Sequence, residues 1–391
     1  MDTAALKRSW ELVAKSGDEV PLYFYSHLFL THPELREMFP ISMSAQRDKL
    51  VAALGKIVSN VDRIDEVTGF VEQLGRDHRR FTVKAEHYHY VGASLLATLQ
   101  HFLGPEWTDN LAADWAAAYG VVAKTMVQAA EAASDSEPAW WDAEVISIER
   151  RTIDIAVLQL RTKQPYSYQP GQSFAMEISL RPRLWRYFSP ANAPREDGTI
   201  ELHVQAVDGG QVSSTIVRRV QAGETARIGP PIGEALTRQP GDQRDLIMVA
   251  GGSGLAPLRA VLEQIDREWH SDGRAPQVHL FHGARVPWNL YENELLQQLT
   301  SRPWFSYTPV VSDDPSYPGA RGLVGSVAAE SRQWQGRTAL VCGSPAMVES
   351  TISELTSAGM PTEDIRFEEF ASDGGDQARQ PRELVQAGEK S

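Results

Sequence analysis

Residues 245–266 read DLIMVAGGSGLAPLRAVLEQID. The run LIMVA is apolar without alternation, as a strand buried on both faces requires, and the segment after its glycines is apolar at helical spacing. A similar strand-then-helix pattern returns in TALVCGSPAMVESTISELTSAG at 338–359, with further strand-like runs in QVHLFHGAR at 277–285 and FSYTPVV at 305–311. Residues 241–371 are therefore expected to form an α/β domain on a parallel sheet. Its first strand-to-helix turn sets Gly251, Gly252, Ser253 and Gly254 before the helix and Pro257 within it. Residues without Cβ let the backbone approach a pyrophosphate, and unpaired N–H groups at a helix start favour its charge, so a nucleotide is the expected ligand.

Upstream of this region the period changes. EVISIERRTIDIAVLQLRT (144–162), SFAMEISL (173–180), RYFSPA (186–191) and TIELHVQAV (199–207) alternate between Gly, Pro and Asp turns. That pattern predicts an antiparallel β-barrel over 143–240. Residues 1–131 instead repeat apolar positions at helical spacing, as in SWELVAKSGDEVPLYFYSHLF (9–29) and WAAAYGVVAKTMVQAA (115–130), and predict an all-α domain. The polar, small stretch within EAASDSEPAWWD (131–142) marks a linker over 132–142. Residues 372–391 hold little apolar content and are expected to be a flexible tail.

Length and composition agree with a chain of several domains. A chain of 391 residues exceeds one ordinary core. The net charge of −13 excludes the broad basic face that nucleic acid or anionic membranes need. No run of about 18 apolar residues suggests a membrane span, and MDTAALKRSWELV lacks the apolar core of a signal peptide, so cytoplasm is the default location. Cys342, the only cysteine, can form no internal disulfide and no cysteine-rich metal site; it reads as a buried strand residue.

Two further segments carry chemistry. RYFS offers Arg186 for a phosphate, Tyr187 and Phe188 as aromatic rings for a flavin, and the hydroxyl of Ser189. DGGQVSSTIVRRV (208–220) offers Gly210, Gln211, Val212 and Ser213 at a helix start, a second place for a diphosphate. Together with GGSGLAP and VCGSPAM, these segments resemble, in order, the ferredoxin–NADP reductase family over about 140–370. The resemblance implies FAD and a nicotinamide nucleotide as cofactors. By it, Arg186 binds the FAD phosphates, Phe188 lies by the ring and Ser189 hydrogen-bonds the isoalloxazine. Cys342, Gly343 and Met347 belong to the later nucleotide segment, and Phe370 in FEEF shields the flavin. The family usually has tyrosine at Phe188. Arg285 in HGAR could clamp a 2′-phosphate or sit on the surface, which leaves NADH and NADPH both open.

A reductase needs an acceptor. His78, near the end of an amphipathic segment with Phe70, Leu74 and Phe81, is the histidine best placed to reach a haem iron from an apolar helix face. HPELREMF (32–39), AEHYHYVGASLLATL (85–99) and WAAAYGVVA (115–123) resemble the globin domain of bacterial flavohaemoglobins over about 1–131. That resemblance implies haem b held by His78 as the iron ligand. It also implies Tyr25, Gln46 and Leu50 in the distal pocket, Phe39 against the porphyrin, and Tyr88 beside the ligating histidine. A phenol and an amide in an apolar pocket suit oxygen chemistry, because they stabilise the negative charge O2 takes from ferrous iron.

The expected activity is NAD(P)H-dependent nitric oxide dioxygenation, with O2, NO and NAD(P)H as small-molecule partners and no obligatory protein partner. Flavohaemoglobins typically place a glutamate near the ligating histidine; a gapless count puts Ala130 there, and Glu131 is turned away by about 100°. Asp77 stands where lysine is common. These departures keep two other readings in play: a globin-coupled reductase acting on a quinone, peroxide or organic acceptor, and a haem-based O2 or redox sensor.

Overall fold

The helical period of the first third becomes α1 (Thr3–Ala14), α2 (Glu19–Thr31), α3 (Ser44–Ser59), α4 (Asp65–His78), α5 (Ala85–Leu103) and α6 (Asp109–Ser134). The computed structural model describes residues 1–63, 65–331 and 334–370, which divide into a unit of residues 1–140 and a unit of residues 141–370. The expected tail, 372–391, lies outside the described residues. Side chains satisfy helix starts where the sequence offers oxygen: Asp2 accepts from the Ala5 amide, and Thr108 from the Leu111 amide.

The apolar stripes of α1, α2, α5 and α6 meet in one core that includes Leu6, Trp10, Phe24, Leu28, Leu99 and Trp115. Burying each such side chain contributes roughly 1.5–3 kcal/mol. The Trp115 indole, which needs a partner once buried, donates to the Ser9 hydroxyl at 3.0 Å. Two glycines set the closest approaches. A Cβ on Gly75 of α4 would stand 2.3 Å from the Met126 carbonyl of α6, and one on Gly92 of α5 would stand 2.6 Å from the Tyr119 ring. The helix that carries His78 is thus pressed backbone to backbone on α6.

In the second unit, β1 (Trp141–Arg150), β2 (Ile155–Thr162), β3 (Ser173–Ile178), β4 (Arg186–Phe188), β5 (Thr199–Gln205) and β6 (Thr225–Ile232) form an antiparallel sheet. Their order is β4-β3-β6-β1-β2-β5. A bridge between Pro190 and Leu202 brings the end of β4 to β5 and nearly closes a barrel around Phe174, Met176, Leu158 and Leu202. Helix α7 (Gln211–Arg219) covers one end through Val212, Ile216 and Val217.

The remaining strands are β7 (Leu246–Gly251), β8 (Val278–Ala284), β9 (Phe305–Val311), β10 (Ala320–Arg321), β11 (Thr338–Gly343) and β12 (Ile365–Glu369). They pair in parallel in the order β10-β9-β8-β7-β11-β12. Alternate residues of β7 face opposite layers. Leu246, Met248 and Ala250 pack with α8 (Leu255–Asp272) and α9 (Asn293–Leu299), whereas Ile247 and Val249 pack with α10 (Val324–Ser331) and α11 (Pro345–Ser357). The chain winds outward from β7 on one side and returns to β11 on the other. The strand order therefore reverses between β7 and β11, where ligands of open parallel sheets bind beyond the carboxyl ends.

Candidate functional site

The first unit holds an apolar surface that its own helices do not fully cover. Helix α3 buries only Val58 fully, and its Leu50, Val51 and Leu54 remain half-buried beside the core. Phe39 is likewise half-buried, and its turn is held by the Arg36 guanidinium, which donates to the carbonyls of Phe39, Pro40 and Ile41. At this surface Tyr25, Phe29 and Phe39 form an aromatic group with centroids 5.3–5.8 Å apart.

The structure brings Tyr25 and Gln46 into contact: the Gln46 amide Nε2 donates to the Tyr25 hydroxyl at 3.2 Å, and that hydroxyl stands 3.4 Å from the Gln46 carbonyl. Burial pushes the Tyr25 phenol above its ordinary range despite the opposing Gln46 bond, so it remains a protonated donor. Leu50 instead lines a small apolar cavity with Trp10, Phe24, Leu54, Leu95 and Leu99.

On α4, His78 Nδ1 lies 2.6 Å from the Leu74 carbonyl. A carbonyl only accepts, so Nδ1 carries the proton and Nε2 presents its lone pair. Burial lowers the imidazole's affinity for a second proton against the pull of the Leu74 carbonyl and Asp77. The Tyr88 ring lies 6.5 Å from the His78 ring, and burial pushes its phenol up to about 12. Asp77 is engaged by Arg80 at 2.9 Å. Glu131 is exposed and Ala130 half-buried. Among the described residues no three His, Cys, Asp or Glu side chains converge as a metal cage. A neutral imidazole that presents Nε2, in a unit that also carries the half-buried apolar Phe39, Leu50 and Leu54, fits a haem, whose porphyrin supplies the other nitrogens.

In the second unit the glycine motifs converge at the sheet's switch point. A Cβ on Gly254 would stand 2.2 Å from the Cys342 carbonyl, one on Gly343 would meet Met347 Sδ at 2.9 Å, and one on Gly251 would meet Met347 at 3.2 Å. Side chains at these positions would push apart the two turns that form the crevice. Phe370 closes the same corner, its amide donating to the Gly343 carbonyl at 2.7 Å. Ser253 and Pro257 are buried in the turn and the start of α8.

Arg186, Tyr187 and Phe188 form β4 against β3, and Ser189 follows them. The Ser189 hydroxyl is buried and has no hydrogen-bond partner within the described residues, as expected of a group reserved for a flavin. Gly210 begins α7 without a side-chain cap, while Ser213 accepts from the Val207 amide and leaves the turn compact. Gln211 is exposed and Val212 is fully buried. An uncapped helix start that follows β5 and packs against it fits the diphosphate of FAD.

Sequence reasoning missed a buried ionic group that joins the barrel to the parallel-sheet layer. Arg259, on the helix after the glycine turn, donates to Glu201 at 2.6 Å and to the Ala191 carbonyl at 2.8 Å, and pairs with Glu292 at 3.5 Å. His203 reaches Glu201 at 3.2 Å and the Tyr291 hydroxyl at 2.9 Å. His282 Nε2 donates to the Gly252 carbonyl at 3.1 Å. The chain around Ser189 is thereby tied to the nucleotide turn. These residues are far apart in sequence; the only local sign is charge at positions facing inward from TIELHV and LAPLRA.

Comparisons with known proteins divide the chain in the same way. It matches the Globin family over residues 22–126, the oxidoreductase FAD-binding domain over 142–236 and the oxidoreductase NAD-binding domain over 248–352. A flavohemoprotein of Bordetella pertussis is 28% identical over 302 residues, spanning 72% of this chain and 74% of that one. The reductase component of phenol 2-monooxygenase from Pseudomonas sp. (strain CF600) is 33% identical over 228 residues, spanning 56% of this chain and 62% of the relative. The crystal structure of a flavohemoglobin from Malassezia yamatoensis with bound FAD and heme superposes with a TM-score of 0.72 at 17% identity. It covers 94% of this chain and 98% of that one.

Proposed function

Because the chain belongs to the flavohaemoglobin family and is an NAD(P)H-dependent haem-protein oxidoreductase, we propose that it is a nitric oxide dioxygenase. The balance is two NO and two O2 with one NAD(P)H, giving two nitrates, NAD(P)+ and a proton. When bound, FAD would supply hydride acceptance and single-electron transfer, and the haem would supply O2 binding. Every other contribution is the chain's own.

The observation that carries the reading is the Tyr25–Gln46 pair, a protonated phenol and an amide 3.2 Å apart at the edge of an apolar surface. Both can donate toward oxygen atoms that gain negative charge, and the half-buried Phe39, its ring 5.5 Å from that of Tyr25, adds apolar cover. His78 would hold the iron through Nε2, with Leu74 fixing the ring's tautomer. In the reductase, the glycine turn admits the nucleotide, Ser189 would orient the flavin, and Phe370 would cover its ring.

A second reading has its own support: a globin-coupled reductase with a different acceptor. The phenol-oxygenase reductase component has the higher identity, and His78 Nδ1 meets a backbone carbonyl rather than a carboxylate. A carbonyl donates less electron density to the imidazole than a carboxylate would. The test is NO consumption by haem- and FAD-loaded protein in air-equilibrated buffer, with NADH or NADPH and a nitrate assay. Nucleotide-dependent nitrate formation at two per NAD(P)H supports the dioxygenase; negligible NO loss despite rapid flavin turnover supports the other acceptor.

A further inference from the structure

The register of the parallel sheet sets two opposite charges beside the glycine turn. Gly251 of β7 pairs with Gly283 of β8, and Ala284 of β8 pairs with Val311 of β9. Arg285 therefore leaves the strand next to the turn, about 4.8 Å across from it, and Asp313 leaves the strand beyond that one. In dinucleotide folds with a switch point, a residue at this next strand end reads the 2′ position of the adenosine ribose. An acid accepts from the 2′-hydroxyl, and an arginine accommodates a 2′-phosphate.

Here the two arrive as a fixed pair. The Asp313 amide donates to the Arg285 carbonyl at 2.8 Å, and Arg285 Nε donates to Asp313 Oδ2 at 2.7 Å. The Ser312 hydroxyl holds the other oxygen, Oδ1, at 2.6 Å. Those two bonds, the Ser312 hydroxyl first, keep the Asp313 carboxyl below its usual range and hence ionised at neutral pH. Both side chains remain open to a ligand, with the Arg285 side chain 83% exposed and that of Asp313 43% exposed. The cation on the next strand, Arg321, pairs opposite Val311 and turns its guanidinium to the Pro315 carbonyl.

We propose that Asp313 makes this chain select NADH over NADPH: its carboxylate accepts the ribose 2′-hydroxyl and repels the 2′-phosphate that Arg285 alone would attract. A carboxylate has about four lone-pair sites, so the Ser312 and Arg285 bonds leave room for the hydroxyl. A phosphate on Arg285 would instead stand against a second anion fixed to the same guanidinium. The inference rests on the oxidoreductase reading and names its electron donor.

The test is calorimetric binding of adenosine 5′-monophosphate and adenosine 2′,5′-bisphosphate, which differ by the 2′-phosphate, to the FAD-loaded full chain. The wild type is expected to bind the monophosphate at least about tenfold more tightly, and Asp313→Asn to shift that ratio about tenfold toward the bisphosphate. Arg285→Ala on the Asp313→Asn background should remove the gain. Equal or tighter binding of the bisphosphate by the wild type, or an unchanged ratio in Asp313→Asn, overturns the proposal. If neither fragment binds while NADH still bleaches the flavin anaerobically, the proposal fails and the reductase reading stands. If NADH bleaches nothing, the reductase reading itself has failed.

Discussion

His78 Nδ1 lies 2.6 Å from the carbonyl oxygen of Leu74, one turn back on the same helix. This contact sets the proton on Nδ1 and leaves Nε2 as the available donor atom. Replacing His78 by glycine should lower haem affinity more than the roughly 10- to 100-fold that loss of an outer-shell partner costs. Free imidazole should restore the Soret band. A His78→Gly protein that keeps wild-type haem occupancy and spectrum without imidazole would remove His78 as the ligand.

Tyr25 and Gln46 form the polar part of the proposed oxygen pocket. A hydrogen bond to a charged partner contributes roughly 1.5–3 kcal/mol, so Tyr25→Phe should weaken O2 binding to the haem-loaded protein by about tenfold or more. Gln46→Leu should have a smaller effect, because the phenol remains. O2 titration of the ferrous protein measures both; unchanged affinity in Tyr25→Phe would place the phenol outside the pocket.

Helix α4 can approach α6 only through Gly75. In Gly75→Ala the new methyl would stand 2.3 Å from the Met126 carbonyl. Backbone cannot yield as a side-chain tip does, and overpacking of this kind costs roughly 1–3 kcal/mol. Gly69→Ala on the same helix meets nothing within 4 Å. That substitution should be neutral or stabilising by up to about 1 kcal/mol. Urea unfolding of the two variants, followed by far-ultraviolet circular dichroism, should order them oppositely about the wild type.

Burial pulls the His282 imidazole down to about 4, against the Gly252 carbonyl that favours its charged form and with help from His203. The unfolded chain takes up a proton near pH 6.5 while the fold does not, so the contribution is whole above that value and is lost as pH falls toward 4. The difference corresponds to about 3 kcal/mol for the second unit. Urea unfolding at pH 7.5 and 5 should show the loss, and His282→Gln should reduce the pH dependence. Equal dependence in the variant would show that other groups set it.

The two changes of period were legible because each rests on local pattern. LIMVA is apolar throughout since β7 is covered on both faces, whereas TIELHV alternates because β5 turns Ile200, Leu202 and Val204 into the barrel. The strand order was not legible. Nothing local says that β11 returns beside β7, although that return brings Gly254 against Cys342. The Tyr25–Gln46 contact spans 21 residues and depends on how α2 meets α3. The Glu201–His203–Arg259–Glu292 group was invisible for a stronger reason: charged residues read as surface unless their distant partners are known. Tyr119 shows the middle case. Its AYG setting marked a helix, but only the gap left by Gly92 lets its ring cross α5 and its hydroxyl reach the Tyr88 carbonyl at 2.6 Å.

In the proposed reaction the reductase half delivers electrons from the nucleotide to a haem held by His78. Anaerobic stopped-flow mixing of the haem- and FAD-loaded protein with NADH, with flavin and haem absorbance followed together, would show that transfer. Flavin bleaching followed by conversion of ferric to ferrous haem within the same protein is the expected result. Rapid flavin bleaching with haem that stays ferric would contradict the claim and leave the globin without its electron supply.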